Sequence, residues 1–135
     1  MSSKLIDIEG VGPVYAEKLK NAGVGSLKAL LEKGATAKGR KELAEKSDIS
    51  EKLILEWVNH VDLFRIKGVG SEFADLLEEA GVDTVRELAQ RNPENLFQKL
   101  GEVNQAKKLV RRLPTAKQVA NWVEQAKELP GVITY

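Results

Sequence analysis

Apolar positions recur along this chain at helical spacing, and two-residue alternation is almost absent. One stripe is Ile54, Trp57, Val58, Val61 and Phe64; a second is Val119, Trp122, Val123, Ala126 and Leu129. Stop and start signals divide the rest into short helices. Pro13 suits a first helical turn, where its missing N–H would be unpaired anyway. Gly23 can take the left-handed conformation that closes that helix. Ser26 is placed to cap a helix closed by Gly34, Thr36 the next one up to about Lys46, and Ser50 the first Trp helix. Further on, a helix is expected from about Ser71 to Gly81. Thr84-Val85-Arg86-Glu87 reads as a capping box. Asn92-Pro93 opens a helix expected to end near Gly101, and Val103 to Leu113 reads as another, stopped by Pro114. Thr115 caps the last helix and Pro130 ends it. The expected fold class is all-α.

The pattern is also duplicated. Ile8-Glu9-Gly10-Val11-Gly12 returns as Ile66-Lys67-Gly68-Val69-Gly70, 58 residues later. Ala16, Leu19, Ala22, Gly23, Val24 and Leu30 return as Ala74, Leu77, Ala80, Gly81, Val82 and Leu88 at the same offset. The Trp helices match at an offset of 65 (Trp57 with Trp122), so the second copy holds about seven extra residues, placed between Asn92 and Leu113. The expectation is two units, 1–65 and 66–135, forming one compact pseudo-two-fold domain. The Trp helix at 50–64 directly precedes the second Gly-Val-Gly, whereas only Met1–Asp7 precedes the first. The last helix is therefore expected to pack beside the first hairpin, within the chain or in a domain-swapped homodimer.

Gly-Val-Gly between helices has a mechanical meaning. The glycines allow a tight turn and leave no Cβ between backbone and ligand, while the valine anchors the turn in the core. The first N–H groups of the following helix then face outward at the positive end of its dipole, a geometry that accepts phosphate. The candidate contacts are Gly10, Val11 and Gly12, and Gly68, Val69 and Gly70. The competing reading is that both turns merely connect helices tightly, since Gly-x-Gly alone is a weak signal.

Ile8-Glu9-Gly10-Val11-Gly12-Pro13 with Ala16 and Leu19 resembles a helix-hairpin-helix motif, as does Ile66-Lys67-Gly68-Val69-Gly70 with Ala74 and Leu77. Ala22-Gly23-Val24-Gly25-Ser26-Leu27 with Leu30 resembles the small helical domain of the RNA polymerase α subunit. Over its whole length the chain resembles a bacterial and archaeal family of tandem helix-hairpin-helix proteins known as a domain of unknown function. Gly39-Arg40-Lys41-Glu42-Leu43-Ala44-Glu45-Lys46, Leu55-Glu56-Trp57-Val58-Asn59 and Arg111-Arg112-Leu113-Pro114 carry that likeness. The resemblance implies a tandem, SAM-like helical fold. It also implies either sequence-independent DNA binding through backbone amides or protein contacts. DNA-binding members of the class commonly place a basic residue two positions after the second glycine. Here those positions are Val14 and Glu72, and Glu72 opposes a phosphate. Glu9 opposes one too, whereas Lys67, Lys18 and Lys20 partly compensate.

Composition narrows the chemistry. The 135 residues include 21 basic and 20 acidic ones, a formal charge of +1, which excludes a uniformly basic coat protein. There is no cysteine and a single histidine, His60, so disulfides, thiol chemistry and multi-histidine metal sites drop out. No apolar run has membrane-spanning length and no secretory segment is evident, so a cytoplasmic location is expected. Lys107, Lys108, Arg111 and Arg112 would share one side of the helix expected at 103–113, with Lys99 and Lys117 nearby. Lys33, Lys38, Arg40 and Lys41 form a smaller cluster in the first copy. Trp57 and Trp122 are expected in the core, Tyr15 in packing beside the first hairpin, and His60 at the surface. No catalytic residue, metal ligand, cofactor site or small-molecule pocket stands out. The expected function is non-enzymatic DNA or other nucleic-acid binding without sequence preference. The site residues are the six hairpin positions, Lys18, Lys67, Lys107, Lys108, Arg111 and Arg112. The alternative is a protein-interaction or assembly module.

Overall fold

The computed structural model describes residues 4–8 and 10–135. Among them the chain is all-α. A short 3-10 turn at Leu5–Asp7 precedes α1 (Pro13–Asn21), α2 (Leu27–Gly34), α3 (Ala37–Ser47) and α4 (Glu51–Leu63). Then come α5 (Ser71–Glu79), α6 (Val85–Ala89), α7 (Pro93–Lys107) and α8 (Ala116–Glu128). They fall into two compact units, Met1–Asp62 with Val132–Tyr135, and Leu63–Gly131. Among the described residues no helix is long and apolar enough to cross a membrane.

In the first unit, Ser26, Thr36 and Ser50 cap α2, α3 and α4 by accepting from the N–H groups of Ala29, Gly39 and Leu53. Leu19, Leu27, Leu30, Leu43, Ile54, Trp57 and Val58 are buried. α2 and α4 meet at Gly34, where a β-carbon would stand 2.4 Å from Val58 Cγ2. The chain's last residues complete this unit. The Thr134 N–H donates to the Ala35 carbonyl at 2.7 Å and Ile133 is buried. Arg40 reaches the carbonyls of Gly34, Ala35 and Thr134 at 2.8, 3.2 and 2.7 Å. At 5% exposure Arg40 is therefore a core clamp and drops out of the basic cluster expected around it, whereas Lys33, Lys38 and Lys41 are exposed. Lys33 is engaged as well, donating to the Gly23 carbonyl at 2.9 Å. His60, expected at the surface, is 3% exposed.

The second unit copies the first bond for bond at its start. Ile8→Leu5, Val11→Ile8, Gly23→Lys20 and Val24→Leu19 return as Ile66→Leu63, Val69→Ile66, Gly81→Glu78 and Val82→Leu77. The last two of each set are a Schellman closure, with Gly23 and Gly81 at φ of 93° and 91°. Arg91 donates to Gly81 as Lys33 does to Gly23, each across ten residues. Thr84 makes the hydroxyl half of its expected box, accepting from Glu87. Thr115 and Gln118 form the complete reciprocal box.

Two expectations fail in this unit. α7 runs unbroken through Gly101, and the helix expected at Val103–Leu113 does not form. A lone helical glycine costs only about 1 kcal/mol, too little to break a helix anchored by Leu96 and Leu100. α7 instead stops at Lys107, because Asn104 captures the backbone beyond it. Asn104 Nδ2 donates to the Val110 carbonyl at 3.1 Å, and the Val110 N–H donates to Asn104 Oδ1 at 2.9 Å. Lys108 turns the chain in the left-handed region at φ 52°. The extra length of the second copy is thus the tail of α7, 15 residues against 11 in α3, and the loop that follows. α8 belongs to the second unit. It packs against α6 and α7, with Val119, Trp122, Val123 and Ala126 buried, so its apolar stripe is already covered. Each Trp helix lies against the hairpin that precedes it in the chain.

Candidate phosphate-binding hairpins

The two Gly-Val-Gly turns have the same local architecture. Gly10 and Gly68 sit at φ of 90° and 97°, a region that penalises any side chain. Val11 and Val69 point inward at 4% and 5% exposure, between exposed glycines. A Trp lies beneath each turn. A β-carbon on Gly10 would meet Trp57 Nε1 at 3.9 Å, and one on Gly68 would meet Trp122 Nε1 at 3.1 Å. Tyr15 and Phe73 tilt against those rings at centroid distances of 5.1 and 5.3 Å. The expected packing roles of Tyr15 and both tryptophans are thus met.

The two turns differ in tolerance. Gly10→Ala and Gly68→Ala are both expected to destabilise by about 1–3 kcal/mol through the positive φ. Gly68→Ala should cost more, since its methyl also presses on the Trp122 indole. Urea midpoints of the two variants check this order.

The second glycine of each turn is different in kind. Gly12 and Gly70 are the N-caps of α1 and α5, with ordinary extended backbones at φ −90° and −100°. A β-carbon on either would meet nothing within 4 Å. Neither conformation nor packing demands glycine there. What the missing side chain does is leave the helix end open. α2, α3, α4, α6, α7 and α8 are all capped by a Ser, Thr or Asn side chain. α1 and α5 are not. Their first intrahelical bonds are Ala16→Gly12 and Ala74→Gly70. Ahead of them stand the N–H groups of Val14 and Tyr15 in α1, and of Ser71, Glu72 and Phe73 in α5, at the positive dipole end.

The basic residues divide. Lys18 is half-buried with its ammonium 5.9 Å from the Tyr15 ring centroid, one turn into α1. Lys67 is exposed beside the second turn, and its backbone is held by Gln125 of α8, which accepts from its N–H at 2.8 Å and donates to its carbonyl at 3.1 Å. No local sequence signal marks that clamp, which spans 58 residues. Glu9, expected beside the first turn, lies outside the described residues. Lys107 pairs with Glu79. Lys108, Arg111 and Arg112 do not share a helix face with it, because α7 has ended. They stand exposed on the loop that follows. Val14 is 69% exposed and Glu72 is exposed in the first turn of α5.

No curated protein and no solved structure matches the chain. A family model does, over residues 9–129, a span that includes both hairpins and both Trp helices. The chain belongs to the family described as Domain of unknown function (DUF4332).

Proposed function

We propose that this chain is a non-enzymatic module that binds nucleic acid, duplex DNA in the first instance, without reading its sequence. It uses two helix-hairpin-helix elements, 8–19 and 66–77, whose backbone amides hold phosphates. One observation carries the reading. The two helices that follow the hairpins end in a glycine that neither strain nor packing explains, while the six other helices end in a side-chain cap. An uncapped, unobstructed N-terminus is what a phosphate oxygen needs, and two of them suit contacts to two points of a backbone. Glu72 weakens the second site, so the first hairpin, backed by Lys18, is the stronger contact. A cytoplasmic protein meeting nucleic acid is part of this reading.

The test uses the double variant Gly12→Ala, Gly70→Ala. Loss of glycine at an N-cap costs a few tenths to about 1 kcal/mol, and reduced unfolded-state freedom returns about as much. The melting midpoint should therefore hardly move. Affinity for a short DNA duplex at low salt should fall about tenfold or more, equally for different sequences. Unchanged affinity overturns the hairpin reading.

One observation favours a protein partner as the second reading. Ile6 and Val14, 55% and 69% exposed, flank the first hairpin with apolar surface. Under that reading Val14→Lys abolishes a concentration-dependent size in light scattering. Under the nucleic-acid reading it strengthens DNA binding.

A further inference from the structure

The loop at 108–114 is the structural novelty of the second unit, and it is a fixed object. Its start is set by Lys108 in the left-handed region. Its middle is tied by the two Asn104–Val110 bonds, and Val110 and Pro114 are buried as anchors. Between the anchors, Arg111 and Arg112 project as exposed neighbours, with Lys108 exposed at the loop's start.

The six arginines of the chain sort sharply by what they touch. Arg40 holds three carbonyls, Arg65 donates to the Pro130 carbonyl, and Arg91 donates to the Gly81 carbonyl. The Arg86 guanidinium lies over Gly131. Arg40, Arg65 and Arg91 fasten the chain to itself, whereas Arg86 is exposed and makes no hydrogen bond or ion pair among the described residues. Arg111 and Arg112 make no hydrogen bond or ion pair among the described residues, and neither does the side chain of Lys108. Lys107, just before the loop, is neutralised by Glu79. Arg111 and Arg112 are thus adjacent free guanidinium groups on a pinned segment, with the free ammonium of Lys108 at its start. A guanidinium offers a planar fork matched to two oxygens of a phosphate, and a tied loop loses little freedom when it is engaged.

We propose that the 108–114 loop is a second phosphate-binding element, an arginine clamp for the phosphodiester backbone, separate in chemistry from the hairpins. The inference rests on the nucleic-acid reading given above for its natural ligand, but the two elements leave different signatures. Hairpin amides are neutral, so they contribute affinity with little salt dependence. The loop cations displace counterions. Three such contacts give a slope of log K against log salt of about −2.7.

The experiment titrates salt against a short DNA duplex, and against linear polyphosphate as a polyanion without bases or sugars, for the full chain and its variants. Arg111→Ala with Arg112→Ala should leave the melting midpoint in place and flatten the DNA slope by about 1.8, to roughly −0.9. It should also weaken polyphosphate binding. Arg111→Lys with Arg112→Lys should keep the slope but lose several-fold in affinity, because the fork is gone. An unchanged slope in the alanine pair, or wild-type affinity in the lysine pair, overturns the clamp. If the alanine pair is unaffected while Gly12→Ala, Gly70→Ala loses DNA, the clamp falls and the hairpin reading stands. If the chain ignores DNA but holds polyphosphate through these arginines, the clamp stands and the DNA reading falls. Binding to neither overturns both.

Discussion

Trp122→Ala is expected to destabilise the second unit by about 3–5 kcal/mol, the range for deleting a buried aromatic side chain. The ring is 2% exposed and tilts against Phe73 at 52°. It also stands directly beneath Gly68, whose positive φ places bare backbone over the indole. Removing it takes away apolar burial, an aromatic pair worth about 0.5–1.5 kcal/mol, and the floor of the second hairpin. Val119, Val123 and Ala126 flank it on α8 and are short, so the space cannot be refilled by a rotamer change. Native-state amide exchange on α6, α7 and α8 should show opening energies lower by the full amount, whether or not the whole chain unfolds in one step. Trp122→Phe should recover more than half. A loss below about 1 kcal/mol in the alanine variant would mean that the ring is not the keystone of this unit.

The same ring shows which parts of the molecule were legible beforehand. The Trp stripes, the glycine turns and the caps at Ser26, Thr36, Ser50 and Thr115 are decided within a few residues, and each forms as read. Their determinants are local: a left-handed glycine, a hydroxyl within reach of an N–H three residues on, an apolar step of three or four. Partnership is not local. Which elements each Trp helix packs against is decided by tertiary packing, which adjacency in the chain does not reveal. Arg40 read as a surface cation because its third acceptor, Thr134, lies 94 residues away. The Asn104–Val110 tie lies only six residues apart, yet nothing in the helical period announces it. Gly101 and Pro114 offered more familiar punctuation and drew the boundaries to themselves. As a result, the expected helix face joining Lys107 and Lys108 to Arg111 and Arg112 does not exist. One tertiary feature did have a readable signal. Gly23 with Lys33, and Gly81 with Arg91, repeat at the duplication's own offset, and a basic residue kept ten positions after a closing glycine marks a cap on its carbonyl.

The other large effect is expected at Gly39, where sequence alone shows only a glycine in a polar helix. It is the third residue of α3, and its N–H donates to the Thr36 hydroxyl at 3.0 Å. A β-carbon there would stand 2.0 Å from the Lys33 carbonyl oxygen and 3.1 Å from Thr36 Oγ1. The first atom is backbone, so no rotamer change relieves the clash. The α2–α3 connection must move instead. Moving it strains the Thr36 cap, worth about 0.5–2 kcal/mol, and overpacking adds about 1–3 kcal/mol. Gly39→Ala should therefore destabilise the first unit by about 2–4 kcal/mol, although alanine is the better helix former at an open site. The displacement also carries Lys33 away from the Gly23 carbonyl, so the amide signals of Gly23 and Val24 should shift with it. The second unit supplies the control. Asn95 holds the same place after the Asn92 cap of α7 and is exposed, because the helix before it has 5 residues where α2 has 8 and the chain does not fold back onto it. Asn95→Ala should change stability by less than about 0.5 kcal/mol. Similar urea midpoints for the two variants would show that the close approach of Lys33 to Gly39 does not govern the first unit.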